Sequence, residues 1–238
     1  MKYIEANRIS IQVEPTLDND EIKKFIRSVK KDLTIFTNYE SRTKENAHFF
    51  SNGPSISDED EIILKLMEGA DLLLAWGKNV SFDTIGKILI KLISSNEDFL
   101  DKYRVNSFDC GFVFGIDYKK NAYEIIKKAY YNENVVRFYS DLPDYNVLDN
   151  DIHILLSSGN NKKMSCSIKG LTSRGEIETN DYEEKQIRLT FGILFEKVSV
   201  TEKNLTDLII EHHEYTKSIC EKNFYPSFVL ELEENIAE

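Results

Sequence analysis

The chain has 238 residues, of which 41% are hydrophobic and 30% are charged, and it carries a net charge of −11 with a pI near 5.0. This composition predicts a globular protein that buries enough surface to fold without a disulfide or a structural metal. The acidity argues against a general nucleic-acid binder, because contacts to phosphates need a basic face.

The cysteines and the apolar runs indicate the cellular compartment in which the protein is expected. Cys110, Cys166 and Cys220 cannot all pair with one another and form no C-x-x-C motif, which favours a reducing environment. The first residues lack the apolar core of a secretory signal, and no apolar run approaches the ~18 residues of a membrane helix. We therefore expect a cytoplasmic protein without membrane contact. Abundant lysine, asparagine and isoleucine favour an AT-rich genome, such as that of a low-GC bacterium or its phage.

The chain opens with a strand and a helix. Alternating apolar residues predict a strand over residues 3–13. Asp18 and Glu21 form a capping pattern before a helix. Residues 38–56 are polar and predict a loop.

A helical hairpin is expected next. Ser57 and Ser81 stand at the N-cap positions of two segments whose apolar residues recur at helical spacing. Because few residues separate the two segments, they predict an antiparallel helical hairpin inserted at residues 57–96.

From Phe108 onward the apolar pattern changes to period two, which predicts strands. A helix at about 121–131 interrupts them, and a long helix at about 202–222 follows them. Pro226 is expected to stop that helix, leaving an acidic tail over residues 226–238. The strands are expected at about 108–118, 134–140, 152–157, 162–169, 174–179 and 186–198.

The tripeptide Phe-Gly-Ile occurs twice, at 114–116 and 191–193, each time in a strand that precedes a helix. A duplicated α+β unit would explain this echo. A glycine that marks a bulge or a close packing contact would explain it equally well.

The predicted elements together indicate the α+β class. We expect one domain over residues 1–238, built on a mainly antiparallel sheet. The helical hairpin at 57–96 is inserted into it, and the long C-terminal helix packs on the sheet.

The segment DLIIEHHEYTKSIC, residues 207–220, holds two histidines and a cysteine. On a helix His212 and His213 project about 100° apart, so they cannot easily hold one ion, and neither has a second histidine four residues away. We expect an amphipathic helix with a half-buried His212, a more outward His213 and no metal site. His212 could act as a pH-sensitive packing residue.

Catalytic motifs are scarce. Neither a phosphate-binding loop nor a nucleophile elbow occurs, and no cofactor is expected. The alternative hypothesis is a metal-dependent nuclease or other hydrolase. Glu183 and Lys185 precede a strong strand and Asp151 begins another, and such carboxylates and lysines hold Mg²⁺ in nucleases.

Tyrosine is unusually common, and the tract over residues 127–145 mixes tyrosines with acids. Tyrosine is enriched at protein interfaces because it combines an apolar ring with a polar tip. We therefore assign partner binding to Tyr130, Tyr131, Tyr139, Asp141, Asp144 and Tyr145.

The leading functional hypothesis is a non-enzymatic cytoplasmic protein that acts as an accessory subunit of a larger bacterial or phage assembly. Its partner is a protein, which would be basic if the acidic clusters form the contact. Direct nucleic-acid binding is not expected. A third hypothesis is an acidic decoy that occupies a nucleic-acid-binding protein.

Overall fold

The computed structural model of the chain describes residues 1–2, 4–42, 46–53, 59–67, 72–94, 99–117, 122–131, 152–158, 161–172, 184–201 and 204–237. Nine strands in this part of the chain form one antiparallel sheet, in the order β2-β3-β4-β5-β1-β6-β9-β8-β7. The strands are β1 (Ile4–Glu14), β2 (Asn38–Arg42), β3 (Ala47–Ser51), β4 (Ile62–Met67), β5 (Leu72–Trp76), β6 (Arg104–Asp117), β7 (Ile152–Ser158), β8 (Lys162–Thr172) and β9 (Glu184–Glu196).

The described helices pack against one face of this sheet. They are α1 (Asn19–Asp32), α2 (Phe82–Ser94), α3 (Phe99–Lys102), α4 (Ala122–Tyr130), α5 (Leu205–Ile219) and α6 (Glu231–Ala237). A π-helical segment, Cys220–Leu230, joins α5 to α6. No helix in the described residues is long and apolar enough to cross a membrane.

The core lies between the helices and the sheet. In β6 the alternate residues Phe108, Cys110, Phe112 and Phe114 are fully buried, and the residues between them are glycine, polar or partly exposed. The helices supply aromatic partners, such as Phe224 against Phe191 with ring centroids 5.1 Å apart. The period-two pattern of the sequence therefore marks the side of each strand that the helices cover.

The α+β class, the antiparallel sheet and the long C-terminal helix are confirmed. Asp18 caps α1 as predicted, and its carboxylate accepts hydrogen bonds from the backbone N–H groups of Asp20 and Glu21, both at 2.9 Å. The second predicted helix of the hairpin is α2. The predicted strands at 134–140 and 174–179 lie outside the described residues.

The prediction of a helical hairpin at 57–96 is wrong in its first half. Residues 62–67 and 72–76 are the paired strands β4 and β5, with Leu64 opposite Leu74. Nearly every residue in this stretch is apolar, so it satisfies the helical and the alternating pattern equally well. Burial of Ile62, Leu64 and Leu66 against the helices shows that the alternating pattern applies.

Two further expectations are wrong: the polar loop at 38–56 and the end of the C-terminal helix at Pro226. The predicted polar loop at 38–56 contains β2 and β3, and every residue of β2 is exposed, so the strand leaves no apolar signature. Pro226 does not end the C-terminal helix, because the helix continues past it with the wider π-helical winding. The expected acidic tail is helical through Ala237, and it buries Val229 and Leu232.

The chain repeats its order of elements. The first half runs strand, helix, four strands, helix, from β1 to α2, and the second half runs strand, helix, three described strands, helix, from β6 to α5. The leading strands β1 and β6 pair at the centre of the sheet, and β5 and β9 flank them. The Phe-Gly-Ile echo does not follow this repeat, since one copy lies in a leading strand and the other in a closing strand.

Candidate interaction face

The sheet has a second face, which no helix of the described residues covers. We call it the open face. It is formed by the residues that alternate with the buried ones, and most of them are partly exposed. They are the even-numbered residues 6–12 of β1 and 188–196 of β9, and the odd-numbered residues 63–67 of β4, 73–75 of β5, 107–117 of β6, 153–157 of β7 and 163–169 of β8.

Two facing glycines make the centre of the open face flat. Gly111 and Gly192 are directly opposite each other on β6 and β9. The guanidinium of Arg8, on the neighbouring strand, lies close to both. A methyl group on Gly111 would come within 2.8 Å of Arg8 Nε, and one on Gly192 would come within 2.9 Å of Arg8 Nη2. The absence of two side chains therefore lets the arginine lie along the sheet instead of projecting from it.

The charges of the open face neutralise one another. Arg8 Nη2 lies 3.2 Å from Asp109 Oδ2, and Lys163 Nζ lies 2.7 Å from Glu196 Oε1. Glu5 projects to the same side at a bulge in β1, where its Oε2 lies 3.3 Å from Nε of Arg188. These pairs leave the face close to neutral, although the protein carries a net charge of −11.

The edge strand β2 continues the same pattern. Arg42 donates to Glu40 from Nε at 2.7 Å and from Nη2 at 3.4 Å. The hydrogen bond from Arg42 lowers the pKa of the Glu40 carboxyl, which stays ionised. Arg42 also lies over the ring of Phe49, 4.4 Å from its centroid. The pair is exposed, so it organises this edge more than it stabilises the fold.

Two pairs of uncharged polar side chains on the open face form hydrogen bonds within the face. Ser107 Oγ donates to Gln12 Oε1 at 2.6 Å. Ser167 and Thr190, opposite each other on β8 and β9, share a hydrogen bond between their hydroxyls. Because these groups already have partners, covering them costs less than covering polar groups that depend on water.

A shallow depression of about 400 Å³ lies on the open face beside the central strands. Ile63, Ala75 and Val113 give it an apolar floor, and the Glu5–Arg188 ion pair forms its rim. The depression has the size to accept one or two apolar side chains of another molecule.

Strand β7, at the outer end of the sheet, presents apolar side chains to solvent. Leu155, on the open face opposite Ser165, is 64% exposed, and Leu156 is 53% exposed. Because successive side chains of a strand point to opposite faces, Leu155 lies on the open face and Leu156 on the other one. Leu155 thus extends the open face to its edge.

The predicted partner-binding residues are described only in part. Tyr130 is half-buried on the helix side, where its hydroxyl donates to the carbonyl oxygen of Phe228 at 2.5 Å. Burial raises the pKa of the Tyr130 hydroxyl above its usual range. Tyr131 packs against the core. The other four predicted residues, Tyr139, Asp141, Asp144 and Tyr145, lie outside the described residues, and so this assignment stays a prediction.

The alternative catalytic set also remains a prediction. Asp151 and Glu183 lie outside the described residues, and only the backbone of Lys185, in β9, is described. Across the described ranges, no three histidine, cysteine, aspartate or glutamate residues are grouped in a way that could hold a metal ion.

His212, His213 and the three cysteines are packing residues. His213 is 6% exposed and His212 is half-buried, so the expectation that His213 faces outward is wrong. The buried stripe of α5 is Leu205, Ile209, His213 and Thr216. All three cysteines are buried and unpaired with one another, and burial raises the pKa of the Cys166 thiol to about 11.

No protein-family model matches this sequence, and no curated protein matches it significantly. Any role of the open face therefore has to be inferred from its own geometry. Sequence reasoning missed this face because it concentrated on motifs and acidic clusters. The signal that could have found it is the set of small and paired polar residues that alternates with the core residues in β1, β6, β8 and β9.

Proposed function

We propose that the protein is a non-enzymatic accessory subunit that binds a partner protein through the open face of its sheet. The observation that carries this proposal is the 64% exposed Leu155 beside a flat, internally neutralised sheet face. The partner would set an apolar side chain into the depression over Ala75 and cover Leu155 at the edge. Its own surface would be mixed and close to neutral, to match the paired charges.

The charge pattern favours a protein over a nucleic acid. A phosphate-binding face needs cations that are free to replace counterions. On the open face, Arg8, Lys163 and Arg188 already face carboxylates, and Lys65 lies over the ring of Phe49. Protein interfaces, by contrast, are about as apolar as the rest of a protein surface and carry hydrogen-bonded polar groups. The hypothesis of an acidic decoy is also less well supported, because a decoy needs an unpaired acidic surface and the carboxylates of this face are paired with cations.

The test begins with the tagged chain purified from its native host at low salt, with copurifying proteins identified by mass spectrometry. The identified protein is then produced alone, and its affinity is measured by calorimetry against two variants. Leu155→Lys places a charge at the exposed edge, and Ala75→Arg fills the depression. Each is expected to weaken binding about tenfold or more, which corresponds to about 1.4 kcal/mol.

Ile90→Lys is the matched control. Ile90 is an exposed apolar residue on α2, on the opposite side of the sheet, with 39% of its surface accessible. It should bind like the wild type. If all three variants bind the partner as tightly as the wild type does, the open face is not the partner-binding site. If the wild type instead shifts a random-sequence DNA duplex with a steep salt dependence, the partner class is wrong.

A further inference from the structure

Two consecutive histidines of α5 stack on aromatic rings of neighbouring elements. The ring of His212 stacks on Phe195 of β9, with centroids 4.1 Å apart and planes inclined by 11°. The ring of His213 stacks on Phe82 of α2, at 4.3 Å and 22°. Because neighbouring residues of a helix project in different directions, one residue pair reaches two separate elements.

Three of the four nitrogen atoms in these two rings are buried without a hydrogen-bond partner in the part of the chain that the structure describes. Within the described residues, His212 Nε2 and both ring nitrogens of His213 are buried and make no hydrogen bond. His213 also lies near Trp76 and Phe112, with centroids 5.8 and 5.6 Å away. A neutral imidazole tolerates this aromatic setting, but an imidazolium in it would be a buried charge without a hydrogen-bonded partner.

The charged groups around His213 do not offset that cost. Nδ1 lies 3.9 Å from Oε1 of Glu214, which is too far for a hydrogen bond, and the Glu214 side chain is mostly exposed. Lys217 disfavours the charged ring. The crevice beside His213, about 360 Å³ in volume, is also lined by Lys78 and Glu221. Lys78 is paired with Glu59.

His212 has a similar but more open setting. Burial lowers the pKa of its ring, and Lys162 on β8 lowers it further, while Glu211 on α5 opposes the shift. Phe108 of β6 approaches the ring edge-on at 5.8 Å. Among the described residues, no buried carboxylate faces either histidine.

We propose that His212 and His213 form an acid-sensitive latch, which holds α5 on the sheet while both rings are neutral and releases it when they are protonated. Release would uncover the aromatic floor of the helix side, including Phe108, Phe112 and Phe195. This inference does not depend on the open face or on its partner.

The expected response follows from proton linkage. Burial lowers the pKa of His213 from 6.5 to about 4. Protons therefore bind the open form more readily than the closed form, so the latch is fully closed above about pH 6.5 and weakens as the pH falls toward about 4. Between about pH 7.5 and about pH 5, His213 alone should raise the equilibrium constant for opening about 30-fold.

Hydrogen exchange of the α5 amides, corrected for intrinsic rates, measures this constant at each pH. Trp76 is the single tryptophan of the chain, and its fluorescence reports on the same site. The variant carrying His212→Phe and His213→Phe keeps the stacking but cannot be protonated, so its corrected exchange should be independent of pH over this range. His153→Gln, at an exposed position on β7, should respond as the wild type does.

The proposal is overturned if the corrected exchange of α5 in the wild type is unchanged at acid pH. It is also overturned if the double variant opens as much as the wild type, because carboxylates would then be the cause. If the double variant does not fold, an NMR titration of the wild-type imidazoles decides the matter. A His213 pKa at or above about 6.5 would then exclude the latch.

Discussion

Three glycines should respond very differently to the same added methyl group. A Cβ on Gly111 would lie 2.6 Å from the backbone oxygen of Phe191 and 3.3 Å from Cα of Gly192. Neither atom can move without shifting β9 away from β6. We expect Gly111→Ala to lower the free energy of unfolding by about 2–3 kcal/mol, the upper part of the range for overpacked sites.

Gly192→Ala should cost less. Its new methyl group would meet the ends of two side chains, Arg8 Nη2 at 2.9 Å and Asp109 Oδ1 at 3.0 Å, whereas the nearest backbone atom, the Cys110 oxygen, is 3.5 Å away. Flexible side-chain ends can move aside, so we expect a loss below about 1.5 kcal/mol. Gly86 lies within α2, and a methyl group added there would meet no atom within 4 Å outside its own helix and chain neighbours. Gly86→Ala should therefore stabilise the protein by about 0.5–1 kcal/mol.

The measurement is urea unfolding followed by circular dichroism, with the slopes compared to confirm the same transition. A double-mutant cycle with Arg8→Ala shows how much of the cost at Gly111 and at Gly192 comes from contact with the arginine side chain. Removing Arg8 should reduce the cost of Gly192→Ala but leave most of the cost of Gly111→Ala, because the Phe191 carbonyl remains in place. Equal stability of Gly111→Ala and the wild type would falsify the close approach of β6 and β9 that defines the open face.

Three further predictions test the fold. Asp18→Ala should lower the free energy of unfolding by about 1 kcal/mol, because two backbone N–H groups of α1 lose their acceptor, and chemical denaturation measures this loss. Phe191→Ala should cost about 3–5 kcal/mol, since it leaves a cavity beneath Phe224, and a thermal melt should show a correspondingly lower Tm. The three thiols should resist a thiol reagent at pH 8 in the native state and react fully in denaturant. The reason is burial, which raises the pKa of Cys166 to about 11 and that of Cys220 to about 12. Fast labelling of the native protein would contradict the buried placement of Cys110, Cys166 and Cys220.

The sequence by itself determined the elements whose signals are local. The capping carboxylate of Asp18 and the helical stripe of α1 depend only on neighbouring residues, and so does the strict alternation of β6 and β9. For these elements the side-chain pattern has one period and one interpretation. The α+β class followed from them, as did the packing of a long C-terminal helix on an antiparallel sheet.

Only the tertiary structure decided the remaining elements. The apolar run at 62–76 became a strand pair because its neighbours in the sheet and the helices above it bury alternate residues. The exposed strand β2 exists because β3 supplies its hydrogen bonds, which no pattern in its own residues indicates. Likewise, His213 lies on the buried side of α5 because Phe82 and Trp76 meet it there from distant parts of the chain.

The open face also depends on the tertiary structure more than on local sequence. Many of its residues are small or form ion pairs with partners far away in sequence, such as Arg8 with Asp109 and Glu5 with Arg188. Each of these residues is unremarkable in its own segment. A flat and nearly neutral surface arises on this acidic protein only when strand pairing brings the charges together and places Gly111 opposite Gly192, because register is a property of the sheet and not of any one strand.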